Sequence, residues 1–266
     1  ANGWKATSEG RRRLARVAFD FPPDLLSSHC LEMAVKPDGY ELVVRSDFTV
    51  RTFARDMSRC TSFELPDGQG EIAASEQFLY TSGPDNKVRC LTHDGTLVAS
   101  YGDQDKPQAY SPVLAPGGLL FVVLSDGVDF GKDEIVALDA QTLQYRYRFG
   151  MGMLNQACAM VVVDQELFVC DQDNDRIQVF SLAGEHLRSI TGEWERPVAL
   201  CFMKDRLYLV EENNTEQDEE GELVNPLSGR RICVLSLQGN TLEAYQNPVE
   251  GSTFSDTLCC FDGKLL

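Results

Sequence analysis

The sequence predicts an all-β protein built from repeated four-stranded antiparallel sheets. Short segments in which polar and apolar residues alternate recur along the chain, and turns rich in Gly, Asp and Asn separate them. Two of these stretches, "LYTSGPDNKVRCLTHDGTLVASY" (79–101) and "FVCDQDNDRIQVFSLAGEHLRSI" (168–190), align without a gap at a constant offset of 89 residues. A recurring pattern of this kind indicates one structural unit used several times.

Weaker copies of the unit occupy residues 41–65, 120–150 and 206–245. Each copy has a β-branched residue at the same place, and the successive separations of these residues are 38, 47, 42 and 55. The marker residues are Val50, Val88, Ile135, Ile177 and Ile232. Four short strands in a unit of about 40–50 residues are typical of a β-propeller blade.

The unit nearest the C-terminus shows its four predicted strands most clearly. They are "VALCF" (198–202), "RLYLV" (206–210), "RICVL" (231–235) and "TLEAY" (241–245). The first, innermost strand is the most apolar, as expected of a strand that is buried on both faces.

The two ends of the chain predict a sixth blade. The C-terminus supplies only two strands, "TLCCF" (257–261) and "KLL" (264–266), whereas "WKATSEGRRRLARVAF" (4–19) has the pattern of the outer half of a blade. Joining these halves would close the ring and remove the exposed edges of an open sheet. An α/β fold is the alternative, but only residues 21–35 have a brief helical pattern.

We therefore predict a six-bladed β-propeller of four-stranded antiparallel blades that forms a single domain over residues 1–266, with the last blade closed by N- and C-terminal strands. The predicted blades lie near 30–65, 70–102, 110–150, 155–191, 196–246, and 253–266 together with 2–20.

The composition restricts the kinds of partner that the protein can bind. The formal net charge is -17, from 41 acidic and 24 basic residues, so most of the surface repels the phosphates of nucleic acids and anionic membranes. The chain contains no apolar run of about 18 residues and no apolar signal core at its start. These features predict a soluble protein with no membrane partner, and they disfavour nucleic acid as a partner.

The cysteines predict a reducing, cytoplasmic environment. Nine are present, which is an odd number, and the sequence has no C-x-x-C pair. Seven lie within apolar or alternating runs, where a free thiol packs as a small apolar group. These seven are Cys90, Cys158, Cys170, Cys201, Cys233, Cys259 and Cys260.

The segment "ELFVCDQDNDRIQVFSLAGEHLRSITG", followed by "RPVALCF" (166–202), resembles the NHL repeat. That repeat reads as a strand, a loop with Asp, Arg-Ile-x-Val-Phe, a Gly turn, a strand, and then Pro before the next inner strand. Residues 78–102 match it moderately, and the signatures of WD and kelch repeats are missing. The resemblance implies a six-bladed propeller of the NHL/TolB-like superfamily.

The residues of this motif are interpreted as structural. We expect Asp171 and Arg176 to tie the loop to its own blade through charge-assisted hydrogen bonds. Ile177, Val179 and Phe180 are expected to pack between blades.

The inner strands carry few groups suited to catalysis. Glu32 and Glu71 are their only carboxylates, and His93 and His186 fall at outer turns away from the axis. The sequence contains no G-x-S-x-G motif and no phosphate-binding loop in the required strand-to-helix setting. The residues therefore favour a protein that is not an enzyme, with no catalytic residue, metal or cofactor.

An acidic insertion, "EENNTEQDEEGELVNPLSGRR" (211–231), separates the second and third strands of the fifth unit. Such a stretch either stays solvated or docks against a basic partner. Its candidate partner-binding residues are Glu211, Glu212, Glu216, Asp218, Glu219, Glu220 and Glu222.

The functional prediction is a non-catalytic protein–protein interaction scaffold that uses the loop faces of the propeller and binds a protein partner of basic character. The resemblance leaves two alternatives open, a metal-dependent hydrolase or lyase of the lactonase-like kind and an RNA-binding NHL domain. It also implies that the propeller could form part of a longer multidomain protein.

Overall fold

The computed structural model describes residues 31–35, 41–46, 48–54, 56, 58–65, 70–83, 85–102, 107–125, 133–212, 231–246, 258, 260–261 and 264–265. The described residues form strands and turns, with a single 3-10 turn at Gln172–Asn174. No helix long and apolar enough to cross a membrane occurs among them.

The described residues contain five four-stranded antiparallel sheets, named blades 1 to 5 in chain order. Blade 1 consists of β1 (Leu31–Val35), β2 (Glu41–Ser46), β3 (Thr49–Ala54) and β4 (Arg59–Glu64). Blade 2 consists of β5 (Ile72–Ala74), β6 (Phe78–Ser82), β7 (Val88–Thr92) and β8 (Leu97–Tyr101). Blade 3 consists of β9 (Gln108–Ala115), β10 (Leu119–Ser125), β11 (Asp133–Asp139) and β12 (Tyr145–Leu154). Blade 4 consists of β13 (Ala157–Val163), β14 (Glu166–Asp171), β15 (Arg176–Ser181) and β16 (His186–Ile190). Blade 5 consists of β17 (Pro197–Met203), β18 (Arg206–Glu211), β19 (Arg231–Leu235) and β20 (Thr241–Gln246).

In every blade the strands pair in sequence order, with each strand antiparallel to the next. The connections therefore alternate between two faces of the propeller. The upper face carries the connections from the second to the third strand and from each blade to the next. The lower face carries the turns from the first to the second strand and from the third to the fourth.

The prediction of a propeller with four-stranded antiparallel blades is confirmed, but the described residues contain five such blades instead of the predicted six. The C-terminal segment adds only a two-stranded antiparallel sheet, formed by β21 (Cys260–Phe261) and β22 (Lys264–Leu265), and β21 contacts β17. Residues 4–19, which were predicted to complete a sixth blade, lie outside the described residues.

The core lies between neighbouring blades, and alternation along one strand decides which neighbour each side chain contacts. In β14, Leu167 and Val169 belong to the apolar cluster shared with blade 3. Phe168 and Cys170, on the other face of the same strand, belong to the cluster shared with blade 5. All four residues are fully buried. A central strand is therefore covered on both faces, which explains its continuous apolar sequence.

A glycine in the turn between the third and fourth strands allows close contact with the preceding blade. Gly184 of blade 4 has φ +88°, and a Cβ atom there would lie 2.8 Å from Cδ1 of Phe149 in blade 3. Gly95 of blade 2 also has φ +88° and approaches Phe63 of blade 1 in the same way. These two glycines are 89 residues apart, as the repeat predicts.

Replacing Gly184 with Ala should destabilise the protein more than replacing Gly117 with Ala. Both positions have positive φ (+88° and +81°), so both variants incur the backbone cost of about 1–2 kcal/mol. Only at position 184 does the new methyl group meet a neighbouring blade, which should add about 1–3 kcal/mol. The free energies of unfolding from denaturant titrations test the difference, and equal values would contradict this packing.

On the lower face, an arginine joins blades 4 and 5. Nη1 and Nη2 of Arg188 donate to the two carboxylate oxygens of Glu166 at 2.6 and 2.7 Å, and Nη2 also donates to the carbonyl oxygen of Leu237 in blade 5 at 3.1 Å. The guanidinium lies 5.4 Å from the centre of the Phe168 ring. Its hydrogen bond holds the pKa of Glu166 below the ordinary value of 4.5.

This lowered pKa predicts an acid-dependent loss of stability. The Glu166–Arg188 pair stabilises the folded state above the ordinary pKa, and this contribution is lost as pH falls through the lowered folded-state pKa. Glu166→Gln should therefore be less stable than the wild type at neutral pH, and the gap should narrow below pH 4.5. Denaturant titrations across this range measure the gap, and a gap that stays constant on acidification would refute the assignment.

Candidate functional site

A cavity of about 510 Å³ opens on the upper face where blades 2, 3 and 4 meet near the propeller axis. Its polar lining comes from the beginnings of the innermost strands and the ends of the second strands, at Glu71, Ser82, Gln108, Tyr110, Ser125, Gln156, Cys158 and Gln172. A second cavity of about 370 Å³ is also lined by Glu71, Cys158 and Gln172 and extends towards blade 5. We call the first of these the axial cavity.

Glu71, which the sequence singled out, lines this cavity and joins two blades. Its carboxylate accepts hydrogen bonds from the backbone N–H of Ser111 in blade 3 and from Ser111 Oγ at 3.1 Å. Ser111 has φ +50° and lies where the pairing of β9 with β10 shifts register. This irregularity frees the Ser111 N–H from the ladder, so that it can reach the carboxylate. The side chain of Glu32, the other singled-out carboxylate, lies outside the described residues.

Similar bonds connect the next blades around the axis. The carboxylate of Asp133 in blade 3 accepts a hydrogen bond from the N–H of Ala157 in blade 4 at 2.6 Å. Sγ of Cys158 in blade 4 donates to the carbonyl oxygen of Pro197 in blade 5 at 3.2 Å. Blades 2 to 5 are thus linked in succession, because a side chain of each blade bonds the backbone of the innermost strand in the next blade.

Burial raises the pKa of two groups in this region. The pKa of Tyr110 lies well above its ordinary value of 10, first because the phenol is buried and second because the Asp133 carboxylate is near. Burial also raises the pKa of the Cys170 thiol, which lies beside Cys158. Both groups therefore stay protonated and neutral near pH 7.

Asp171 and Arg176 form the ion pair that the sequence predicted. Nε of Arg176 donates to Oδ2 of Asp171 at 2.7 Å, and the Asp171 carboxylate is fully buried. Oδ1 of Asp171 accepts from the N–H of Asn155 at 2.7 Å, while Nη2 of Arg176 donates to the carbonyl oxygen of Met153 at 2.9 Å. The pair therefore fixes the loop that enters blade 4.

Blade 5 repeats this clamp with Glu211 and Arg231. Nε of Arg231 donates to Oε2 of Glu211 at 2.6 Å, and Glu211 Oε1 accepts from the N–H of Glu195 at 3.0 Å. Nη2 of Arg231 donates to the carbonyl oxygen of Glu193 at 3.1 Å. Glu193, Glu195 and Glu211 each lie 40 residues after their counterparts in blade 4, which are Met153, Asn155 and Asp171. The sequence pattern does not reveal this correspondence, because the acidic insertion moves the arginine to 55 residues after Arg176.

The structure gives different surroundings to the acidic residues that were predicted to bind a partner. The side chain of Glu211 is 0% exposed and paired, so it belongs to the blade and is not part of an exposed docking surface. Glu212 is 38% exposed and accepts hydrogen bonds from Arg196 and from Nε2 of Gln172, the latter at 2.9 Å. The remaining candidates, Glu216, Asp218, Glu219, Glu220 and Glu222, lie outside the described residues.

The described upper face of blades 4 and 5 is rich in carboxylates. Seven carboxylates and three arginines lie in its loops and adjoining strand ends. The carboxylates are Asp171, Asp173, Asp175, Glu193, Glu195, Glu211 and Glu212, and the arginines are Arg176, Arg196 and Arg231. Asp175, Glu193 and Glu195 are exposed to solvent. We call this region the acidic face.

The two described histidines lie on or near the lower face. Nε2 of His93 is 3.1 Å from the carbonyl oxygen of Ser75, and Nε2 of His186 is 2.8 Å from Oε1 of Gln178. No group of three or more His, Cys, Asp or Glu side chains within the described ranges is arranged to hold a metal ion.

Comparisons with known proteins support the fold alone. No family model and no curated protein matches this chain. A protein of unknown function from Bacteroides caccae is 12% identical and superposes with a TM-score of 0.60, covering 84% of this chain and 80% of that one. BamB from Moraxella catarrhalis is 13% identical, with a TM-score of 0.51 and coverages of 88% and 77%. The computationally designed Ika8 protein is 15% identical, with a TM-score of 0.54 and coverages of 89% and 70%.

The clamp in blade 5 predicts a large cost for removing its arginine. Arg231→Met leaves the buried Glu211 carboxylate without its partner and should destabilise the protein by about 3–5 kcal/mol. Arg146→Met is the matched control, because Arg146 pairs with Asp139 but its side chain is 53% exposed. The control should change stability little. Thermal and denaturant unfolding measure both variants, and similar small effects would show that the buried pair is dispensable.

Proposed function

We propose that this propeller is a non-catalytic protein-interaction module whose acidic face binds a basic protein partner. The observation that carries the proposal is the excess of carboxylates over arginines on the upper face of blades 4 and 5. The formal net charge of -17 would steer a basic partner towards the molecule over a longer range.

The pairing of charges on this face supports a binding surface of fixed shape. Arg196 bridges blade 4 and blade 5, because it pairs with Asp173 in the one and with Glu212 in the other. Its backbone N–H also donates to Oδ1 of Asp175 at 2.8 Å. The loops are therefore tied to one another before a partner arrives, which lowers the entropic cost of association.

The acidic insertion would extend this surface. The described residues on either side of it, Glu212 and Arg231, both lie at the upper face. Between them the sequence contains five acidic residues and one arginine. A further negative segment attached at this point would increase the attraction for a basic partner.

We further propose that the ring is a six-bladed, NHL-like propeller. The contact between β21 and β17 supports this, because it places the C-terminal hairpin beside the innermost strand of blade 5. Residues 4–19 would supply the outer strands of that blade.

The alternatives of a metal-dependent hydrolase or lyase and of an RNA-binding domain are not better supported by the described residues. A cytoplasmic location stays a prediction, consistent with the free thiols of Cys90, Cys158, Cys170, Cys201 and Cys233.

Reversing charges on the acidic face should weaken the binding of a lysine-rich peptide. Glu193→Lys combined with Glu195→Lys should reduce affinity by about tenfold or more, because each change replaces attraction by repulsion. Titration calorimetry at low ionic strength and at about 0.15 M salt measures the effect, and its size should fall as salt increases.

The matched control is Glu76→Lys combined with Glu185→Lys. Both residues are exposed in turns of the lower face, and both double variants raise the formal net charge by the same four units. The control should retain most of the affinity. Equal weakening by both variants would show that binding follows overall charge, and would overturn the assignment to the acidic face. An absence of peptide binding by the wild type would also overturn the proposal.

A further inference from the structure

The axial cavity has the size and position of a small-molecule site. Its volume of about 510 Å³ lies within the usual range for such sites, and three different blades contribute to its walls. It lies beside the acidic face but is lined by a different set of residues, with Gln172 at the boundary. The cavity therefore requires an explanation other than the binding of a basic protein.

The polar groups that line the cavity are mainly neutral. Two serine hydroxyls, three glutamine amides, a tyrosine phenol and a cysteine thiol surround a single carboxylate, that of Glu71. The described lining contains no lysine, arginine or histidine. An anionic ligand would therefore meet a carboxylate with no basic side chain from this lining to offset it, which disfavours phosphates and carboxylic acids.

Two of the amides lie at the rim. The side chains of Gln108, at the start of β9, and Gln156, just before β13, are exposed and have no hydrogen-bond partner within the described part of the chain. Each amide offers two N–H donors and a carbonyl acceptor. Hydroxyl groups also donate and accept, so a ligand with several hydroxyls can pair with both amides at once.

Tyr110 lies on β9 two residues beyond Gln108 and supplies the aromatic group in the lining. Its phenol is protonated near pH 7 and hydrogen-bonds with Ser125, and the part of its ring that lines the cavity offers an apolar surface. A ring with hydroxyls at its edge and C–H bonds on its faces would complement this combination of amides and an aromatic side chain.

The walls of the cavity are held in place before any ligand binds. Glu71 is bonded to Ser111 on the innermost strand of blade 3, and Asp133 on the third strand of blade 3 is bonded to the backbone of Ala157, so blades 2, 3 and 4 are fixed to one another. A preformed site of this kind binds small ligands at a lower entropic cost. From these observations we infer that the axial cavity binds a neutral, hydroxyl-rich ligand of the monosaccharide class.

A panel of sugars tests this inference on the full chain. Glucose, galactose, mannose and N-acetylglucosamine are titrated in ligand-observed NMR, alongside glucuronate and cyclohexanol. At least one neutral sugar should bind with a dissociation constant of about 10 mM or tighter. Glucuronate should bind at least about tenfold more weakly than the neutral sugar, because its carboxylate is repelled by that of Glu71. Cyclohexanol should also bind at least about tenfold more weakly, because it has only one hydroxyl to pair with the amides.

Substitutions in the lining identify the site. Gln108→Leu and Tyr110→Leu should each weaken binding by about tenfold or more, because each removes a polar partner of the ligand. The matched controls are Gln165→Leu, an exposed amide in a lower-face turn, and Tyr145→Leu, an exposed phenol on the outer strand of blade 3. Both controls should bind like the wild type, and circular dichroism verifies that each variant is folded.

Several results would overturn the inference. One is an absence of binding by all four neutral sugars. Another is an affinity for glucuronate or cyclohexanol equal to that for the neutral sugars. A third is equal affinity of the Gln108→Leu and Gln165→Leu variants for a neutral sugar. Because Gln108 is exposed, its substitution tests the site even if the Tyr110 variant fails to fold.

Discussion

The central strands of each blade must be covered on both faces, and the rest of the structure depends on this constraint. Leu167 and Val169 face blade 3, while Phe168 and Cys170 of the same strand face blade 5. An isolated blade would expose both of these apolar faces to water, so each blade depends on its neighbours for stability. Radial packing at this density also requires the close approach that Gly184 permits against Phe149.

The polar clamps follow from the same packing. Where a chain crosses from one blade to the next, its backbone groups lie beside buried side chains but have no strand with which to pair. Asp171 with Arg176, and Glu211 with Arg231, satisfy an N–H and a carbonyl oxygen of each crossing loop. These ion pairs are therefore part of the architecture, and their residues are not free for binding or catalysis.

The sequence predicted the blades and one clamp, because these leave local signals. Alternation and the 89-residue offset revealed the sheets, and the Asp171–Arg176 pair lies only five residues apart in a compact motif. Glu211 was misassigned to an exposed surface, because the insertion separates it from Arg231 and surrounds it with solvent-compatible acidic residues. The bond between Glu71 and Ser111 spans 40 residues and depends on a register shift in β9. No local pattern encodes such a contact, and the axial cavity leaves no local signal in the sequence either, because three blades form it.

The upper face contains two kinds of carboxylate, those that are buried and hold its loops and those that are exposed to solvent. Carboxylates that are buried beside arginines hold the loops, whereas the Glu193 side chain is exposed on a loop that Arg231 already fixes through the Glu193 carbonyl oxygen. The axial cavity follows the same division, because Glu71 joins two blades while Gln108 extends to the rim. A propeller built in this way can change what it binds through its rim residues alone. A substitution of an exposed rim residue such as Gln108 therefore leaves the contacts between the blades intact.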